Sequence, residues 1–321
     1  MSLLRHREAQ LALAIVLSLV LIATRFPAFI QPTSLANVFN DTAPLMILVI
    51  GQMIVILTKC IDLSVAATLA LTGMLAALMN GAGVPLPLIL AAVVVMGAAL
   101  GAANGLLIWK VGIPSIVVTL GTMTIYRGVI FLMTDGKWVN AHEMSDGFKA
   151  LPRMVILGLP VMSWVAIVLI AVFAVILTRT ALGRAFYAVG GNPHAAVYAG
   201  IDVGRTQFWA FTLSGALAGL TGYIWVARYA VAYVDIAGGF ELDVVAACVI
   251  GGIAIAGGAG SIWGAILGAL FLGVIKNALP VVGISPFWQM AISGTAIILA
   301  VAFNAAQSRP KGRMILREAA P

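Results

Sequence analysis

Charge is scarce in this chain. Only 9% of its 321 residues are Asp, Glu, Lys or Arg, against about 25% in soluble domains. Hydrophobic residues make up 62%, and the mean hydropathy is +1.11. A soluble fold of this length could not hide so much apolar surface, so the composition specifies an integral membrane protein. Cysteine is almost absent. Cys60 and Cys248 lie in or beside apolar runs, which excludes a disulfide framework and a cysteine metal site. The three histidines form no HExxH or His/Cys cluster, and His142 and His194 fall in connecting loops. No P-loop follows any of the glycine runs, including "GGAGSIWG" from Gly257, so the chain lacks that device for binding ATP. No nucleophile constellation suggests an enzyme. The net charge of +7 reads as an excess of basic cytoplasmic loops rather than a nucleic-acid surface.

What the chain does have is a succession of apolar runs. A helix needs about 20 mainly apolar residues to cross a bilayer. Ten such stretches predict an all-α, polytopic membrane protein, with spans near 9–28, 42–58, 62–80, 86–109, 114–133, 159–178, 206–227, 241–257, 261–279 and 286–304. The third and eighth are short and rich in small residues. The first run is too long for a signal peptide and lacks a small-residue cleavage site, so it reads as a retained span. The whole of 1–321 reads as one transmembrane domain. Placing the N-terminus in the cytoplasm puts Arg5, Arg7, Lys59, Lys110, Arg179, Arg184, Arg205 and the four bases after residue 308 on that side. That is the asymmetry the positive-inside rule requires. It also puts the C-terminus inside, 179–205 inside and 134–158 outside. Trp109, Trp164, Trp209, Trp263 and Trp288 fall near span ends, as an aromatic belt does.

Two internal patterns stand out. "DLSVAA" at Asp62 and "DVVAA" at Asp243 open the third and eighth spans from opposite sides in this topology. That is the signature of an inverted repeat, whose matched short spans point to a transport path; chance likeness between two small-residue helices is the alternative. Glycines recur every fourth residue at Gly97, Gly101 and Gly105, at Gly215 and Gly219, and at Gly264 and Gly268. Such stripes let helix backbones approach closely, first of all within one subunit.

Few ionisable residues fall inside spans, and those tend to mark function. Arg127, late in the fifth span, is expected to snorkel to the outer interface. Asp62, with Ser64, can cap the third span or contact a gate or partner. Glu241 and Asp243 open the eighth span at a helix N-terminus. Asp62, Ser64, Asn104, Thr119, Thr122, Glu241 and Asp243 are the candidates for lining a translocation path. No buried chain of ionisable groups is visible, which leaves proton or sodium coupling little to work with.

The segment 179–205 is different in kind. Gly190 and Gly191 permit a sharp turn. Asn192 is a good N-cap, Pro193 suits the first helical position, and Gly200 suits the residue that ends a helix. Residues 193–199 therefore read as a two-turn helix. A helix this short is marginal alone and needs a surface to dock on. A partner is one reading, and packing on the chain's own spans is the other.

Several long motifs in order now carry a resemblance over nearly the full length. They are "IDLSVAA" at Ile61, "NG" at Asn104, "GIPSIVVTLGTMTIYRG" from Gly112, "GRAFYAVGGNPHAAVYAGI" from Gly183, "FELDVVAACVIGG" from Phe240 and "GGAGSIWGAILGA" from Gly257. The chain resembles the ribose, xylose and galactoside branch of ABC importer sugar permeases. "DLSVAA" departs from it, because many relatives have Gly where Ala66 stands. The outer loop "GKWVNAHEMSDGFKA" and the stretch "ARYAVAYVDIAGGFELD" look most similar to rhamnose-type members, with autoinducer-2 permeases as the nearest competitors.

The resemblance implies a permease of the bacterial inner membrane that works with a second permease subunit, in a homodimer or heterodimer. Its other implied partners are two ATPase subunits and a periplasmic sugar-binding protein. This chain would bind no cofactor, and ATP and Mg would be held by the partner ATPase. The coupling residues it implies are Gly183, Arg184, Gly191, Asn192, Pro193, His194, Ala195, Ala196, Tyr198 and Gly200. A secondary transporter or facilitator working alone is the main rival, and a structural membrane protein a more distant one. The topology has a direct test. In intact cells, an impermeant thiol reagent is expected to label Lys149→Cys and to leave Arg184→Cys unlabelled; the reverse pattern would invert the assignment.

Overall fold

The computed structural model describes residues 7–284 together with 288, 291, 294 and 295. It is an all-α bundle. Among the described residues, seven helices are long and apolar enough to cross a membrane. They include α1 (Arg7–Arg25), α2 (Pro32–Leu57) and α4 (Leu86–Leu106), the last extended by a π-helical turn to Val111. The others are α5 (Ser115–Thr134), α7 (Val161–Arg179), α10 (Val203–Tyr229) and α12 (Ile262–Val281). Between them lie α3 (Val65–Gly81), α6 (Asp146–Ala150), α8 (Ala181–Gly191), α9 (Pro193–Tyr198) and α11 (Phe240–Ile250), and a two-stranded hairpin, β1 (Val155–Ile156) with β2 (Leu159–Pro160).

Three sequence expectations change. The second span begins ten residues early, at Pro32 rather than 42. The third begins at Val65 and has 17 residues, because residues 58–64 form a turn. The eighth is not a helix of membrane length, because the stretch leaves the helix after Ile250. α11 has 11 residues, about 16 Å of helix at 1.5 Å per residue, and Gly252 at φ +83° lies just beyond its end. Apart from those four residues, the tenth stretch, 286–304, lies outside the described residues, as do both termini.

The core is built on two long helices, α2 and α10, lying antiparallel. Contacts at three levels fix this geometry. Gln207 Nε2 donates to Thr58 O at 3.2 Å at one end. Gly51 meets Ser214 in the middle, where an added Cβ would come within 3.0 Å of the serine Oγ. Arg228 pairs with Asp41 at the other end. The same succession of long helix, short helix and long helix occurs twice, as α2–α3–α4 and α10–α11–α12. Each group lends its first helix to the other, with α4 packed on α10 and α12 on α2.

The glycine stripes explain why these pairs can be so close. A Cβ on Gly97 would collide with the backbone of Gly215 and Gly219, and one on Gly101 with the backbone of Phe211 and Gly215. On the second pair, Gly264 faces Gly251 and Gly268 faces Ala247. These stripes are internal contacts, as the packing reading expected.

Breaks in the helices are repaired by side chains, because no water is available in hydrocarbon to do it. Pro44 sits inside α2 and has no N–H for the carbonyl four residues back. That carbonyl, Asn40 O, accepts from Arg228 Nη1 at 3.4 Å. The non-helical segment 230–239 is held by Arg127 of α5, whose Nη1 donates to Val234 O at 2.6 Å and Ile236 O at 2.8 Å and lies 3.7 Å from Asp235. Arg127 therefore clamps the chain's own segment 230–239, where snorkelling to the outer interface was expected.

The tightness of α4 on α10 is testable. Gly101→Leu should destabilise the fold by about 1–3 kcal/mol or more, since overpacked cores cost that much. Gly121→Leu, which meets nothing within 4 Å, should be neutral. Melting temperature and monodisperse yield after detergent extraction measure both, and equal behaviour would mean the α4–α10 contact is loose.

Candidate functional site

Two constellations gather most of the sequence-selected residues. The first surrounds the turn 58–64 at the end of α2. Asp62, 2% exposed, does not cap α3. The N-cap is Ser64, whose side chain makes no capping bond. Instead the Asp62 carboxylate accepts from Ser64 N at 2.9 Å and from Ser64 Oγ at 2.6 Å. Asn104 Nδ2 on α4 donates to Ser64 Oγ at 2.9 Å. Tyr126 of α5 donates to Leu100 O at 3.1 Å and lies 3.5 Å from Asn104 Oδ1.

Gln52 of α2, with its amide turned to match, donates to Asp62 O at 3.0 Å and accepts from Asp62 N at 3.2 Å. Ile61 N donates to Ser115 Oγ at 3.2 Å, and Thr119 Oγ1 reaches Ile61 O at 3.4 Å. Thr122 adds a bond to Thr119 O at 3.4 Å. Asp62, Ser64, Asn104, Thr119 and Thr122 thus converge, and all are buried within their own bundle. Sequence reasoning missed Gln52, Ser115 and Tyr126. Only their polarity within apolar runs signalled them.

Glu241 and Asp243 lie apart from this cluster, in the first turn of α11. Asp243 pairs with Lys276 of α12. Glu241 adds negative charge near Arg127. No grouping of three or more potential metal ligands occurs among the described residues.

The second constellation is the segment 181–198. It differs from the expected single short helix after a glycine turn. Thr180 caps α8, its Oγ1 accepting from Gly183 N at 3.1 Å. α8 runs straight through Gly190 and Gly191, so these glycines do not turn. Gly190 permits close approach instead, whereas Gly191 is exposed and a Cβ there would meet nothing within 4 Å. A Cβ on Gly190 would collide with Leu57 O and with the backbone of Gly258. Gly183 is likewise pressed against the end of α7 at Leu177. Phe186, Val189 and Gly190 are buried, and Arg184 is exposed.

Asn192 then separates α8 from α9 in extended conformation. Its Oδ1 accepts from His194 N and Ala195 N, both at 3.1 Å. Pro193 occupies the first position of α9. At the other end Gly200, at φ +79°, donates to Val197 O at 2.9 Å while Ile201 N donates to Ala196 O at 2.9 Å. That is a Schellman cap. α9 runs to Tyr198, with Ala199 as its C-cap. Ala196 is buried against the chain, whereas His194, Ala195, Val197 and Tyr198 are exposed, Tyr198 to 93%.

The bed of this segment is the glycine loop before α12, which the sequence offered as a motif of the resemblance and as a run without a P-loop, with no contact assigned to it. Gly257, Gly258 and Gly260 have φ of +83°, +73° and +144°, open to glycine at little cost. Gly258 N donates to Leu57 O at 3.0 Å. Tyr187 on α8 donates to Gly260 O at 3.0 Å, and burial pushes its phenol above the ordinary tyrosine value. The end of α2, the loop and α8 form one packed unit.

The comparisons with known proteins follow the same outline. Residues 34–301 match the family model described as branched-chain amino acid transport system / permease component. The autoinducer 2 import system permease protein LsrC of Salmonella typhi is 36% identical over 299 residues, 93% of this chain and 86% of that protein. Its namesake in Klebsiella pneumoniae is 37% identical over 92% of this chain and 86% of that protein, and the Escherichia coli one 34% identical over 93% and 87%. No solved structure gave a significant match. These relatives are transport components, not enzymes, and the likeness lies with the autoinducer-2 competitors rather than with rhamnose-type proteins specifically. With residues 34–301 inside the family model, the chain belongs to the branched-chain amino acid transport system permease component family.

Proposed function

We propose that this chain is the membrane-spanning permease subunit of an ATP-driven importer for a small polyhydroxylated solute. A periplasmic binding protein delivers the solute, and ATP with Mg is hydrolysed on separate ATPase subunits. Autoinducer 2 is the favoured cargo, because the relatives at 34–37% identity carry that name; rhamnose is the less supported member of the same chemical class. The protein pairs with a second permease subunit in the bacterial inner membrane, with the N-terminus, the C-terminus and 181–198 facing the cytoplasm.

The observation that carries this reading is α9. It is capped at both ends by side chain and backbone, seated by Ala196, and presents Val197 and Tyr198 outward at 60% and 93% exposure. An isolated six-residue helix would be marginal. This one is preformed, and an exposed aromatic on a preformed element is the kind of group that fills a pocket on a partner. Movement of that partner is transmitted through α8 to the Gly257–Gly260 loop and the end of α2, beside the Asp62–Ser64–Asn104 cluster. Asp62, Ser64, Asn104, Thr119 and Thr122 act on the path by fixing the α2–α3 turn against α4 and α5.

The test is reconstitution with the ATPase and the binding protein in vesicles. Ala195→Trp and Tyr198→Ala are expected to leave the permease folded and to lower ATPase co-purification and the ATP hydrolysis stimulated by loaded binding protein. Asn192→Ala should cost α9 about 1 kcal/mol, a loss masked when the partner holds the helix. Ala196→Trp should instead disturb the permease itself, since that side chain faces inward. Uptake by the unaltered complex is expected for autoinducer 2. Normal coupling in both Ala195→Trp and Tyr198→Ala would reduce the segment to a linker and remove the argument for a motor partner.

A further inference from the structure

At the end of the bundle opposite 181–198 lies a cleft of about 260 Å³ between α2, α10, α11 and α12. We infer that this cleft is a solute subsite within a single subunit, shaped for a neutral, single-ring, polyhydroxylated molecule; the inference rests on the importer reading above and specifies where its cargo pauses.

The first argument is the chemistry of the wall. Its principal groups are Asp41, Trp225, Tyr229, Phe240, Lys276 and Asn277. Trp225 meets Phe240 edge to face at 5.0 Å and tilts against Tyr229 at 5.2 Å, forming a continuous aromatic surface. Such a surface suits the C–H-bearing face of a ring, while a few placed polar groups suit its hydroxyls. Asn277 uses one amide N–H on Gly273 O at 2.9 Å and lines the cleft.

Electrostatics selects among ligands. The two charged groups on the wall are matched from behind it: Asp41 pairs with Arg228 and Lys276 with Asp243. Each cation also lies against an aromatic ring, Arg228 5.6 Å from the centroid of Tyr229 and Lys276 5.8 Å from that of Phe240. The wall is therefore balanced in charge. An anionic headgroup would find no free cation among these residues, whereas a hydroxyl, which both donates and accepts, can use an acid and a base in turn.

Size and shape complete the case. Drug-sized ligands occupy about 300–1,000 Å³, so this cleft suits one ring. Its floor is closed, because Gly273 of α12 presses against the Thr42 side chain of α2 so tightly that a Cβ there would collide. Nothing can proceed past that contact until the two helices part, which makes the cleft a waiting position rather than a channel. Arg228, which also takes the Asn40 carbonyl left free by Pro44, holds Asp41 on the wall.

Cysteine protection on the full chain in lipid nanodiscs tests the binding. Cys60 and Cys248 are buried, so a soluble maleimide should report on Asn277→Cys alone. Autoinducer 2, ribose and rhamnose are the probes, with phosphatidylglycerol as the anionic competitor. The expected result is labelling slowed about fivefold by at least one of the three neutral solutes supplied at about four times its Kd, the aromatic wall still holding the ring without the Asn277 amide, and restored by adding Trp225→Ala but not Trp225→Phe. No protection by any of the three, or protection by the lipid alone, overturns the subsite.

Uptake in the reconstituted importer separates this inference from the one beneath it. Asn277→Ala should lower import about fivefold, one hydrogen bond's worth, with binding-protein-stimulated ATP hydrolysis retained. Import by the unaltered complex that persists within about twofold in both Asn277→Ala and Trp225→Ala, half of one bond's energy, would overturn the subsite and leave the importer reading standing. Import of none of the probes by the unaltered complex would overturn both.

Discussion

In hydrocarbon a backbone carbonyl or amide that leaves the helix has no water to turn to, and each unmet group costs several kcal/mol. The architecture of this protein follows from how it meets that requirement at three interruptions. The turn 58–64 is met by Gln52 on Asp62, Ser115 on Ile61 and Gln207 on Thr58. The segment 230–239 is met by Arg127 and by the reciprocal backbone pair of Val139 with Ala232 at 2.9 Å. The carbonyl freed by Pro44 is met by Arg228. These long polar side chains do their work on backbone, at places where the chain departs from regular helix. The low charge content and the broken spans thus belong together: a few polar residues suffice because the interruptions are few.

The same requirement separates what the sequence made legible from what it did not. Span existence was readable because an unbroken apolar run of membrane length is seldom anything but a span; seven of the ten stretches appear as membrane-length helices, and α3 falls just short. Span limits were not readable. Pro32 starts a helix well before apolar character begins, and the glycines after Ile250 end one while apolar character continues. Hydropathy reports the surroundings of a side chain, whereas helix ends are set by backbone bonding.

At 181–198 the caps were legible, since Asn192, Pro193 and Gly200 each fit one position for a local reason. The role of Gly190 was not. A glycine can serve a turn or a close contact equally well, and only the approach of Leu57 and Gly258 decides it. Likewise Asp62 stood before an apolar run like a cap, yet its carboxylate is spent on Ser64. The interactions that redirect it, from Gln52 and Asn104, come from 10 and 42 residues away in sequence.

The crossing of α2 and α10 at Gly51 and Ser214 carries a mechanical consequence. Two rods that touch backbone to backbone at a point between two end contacts behave as a seesaw. A tilt that draws Thr58 toward Gln207 carries Asp41 away from Arg228, and the converse tilt does the opposite. The fulcrum contains no bulky side chain, and polar contacts mark the two ends, Gln207 on Thr58 at one and Arg228 on Asp41 and the Asn40 carbonyl at the other. Shutting one face of the bundle and unlatching the other are then a single displacement, shared by two helices from the two halves of the chain.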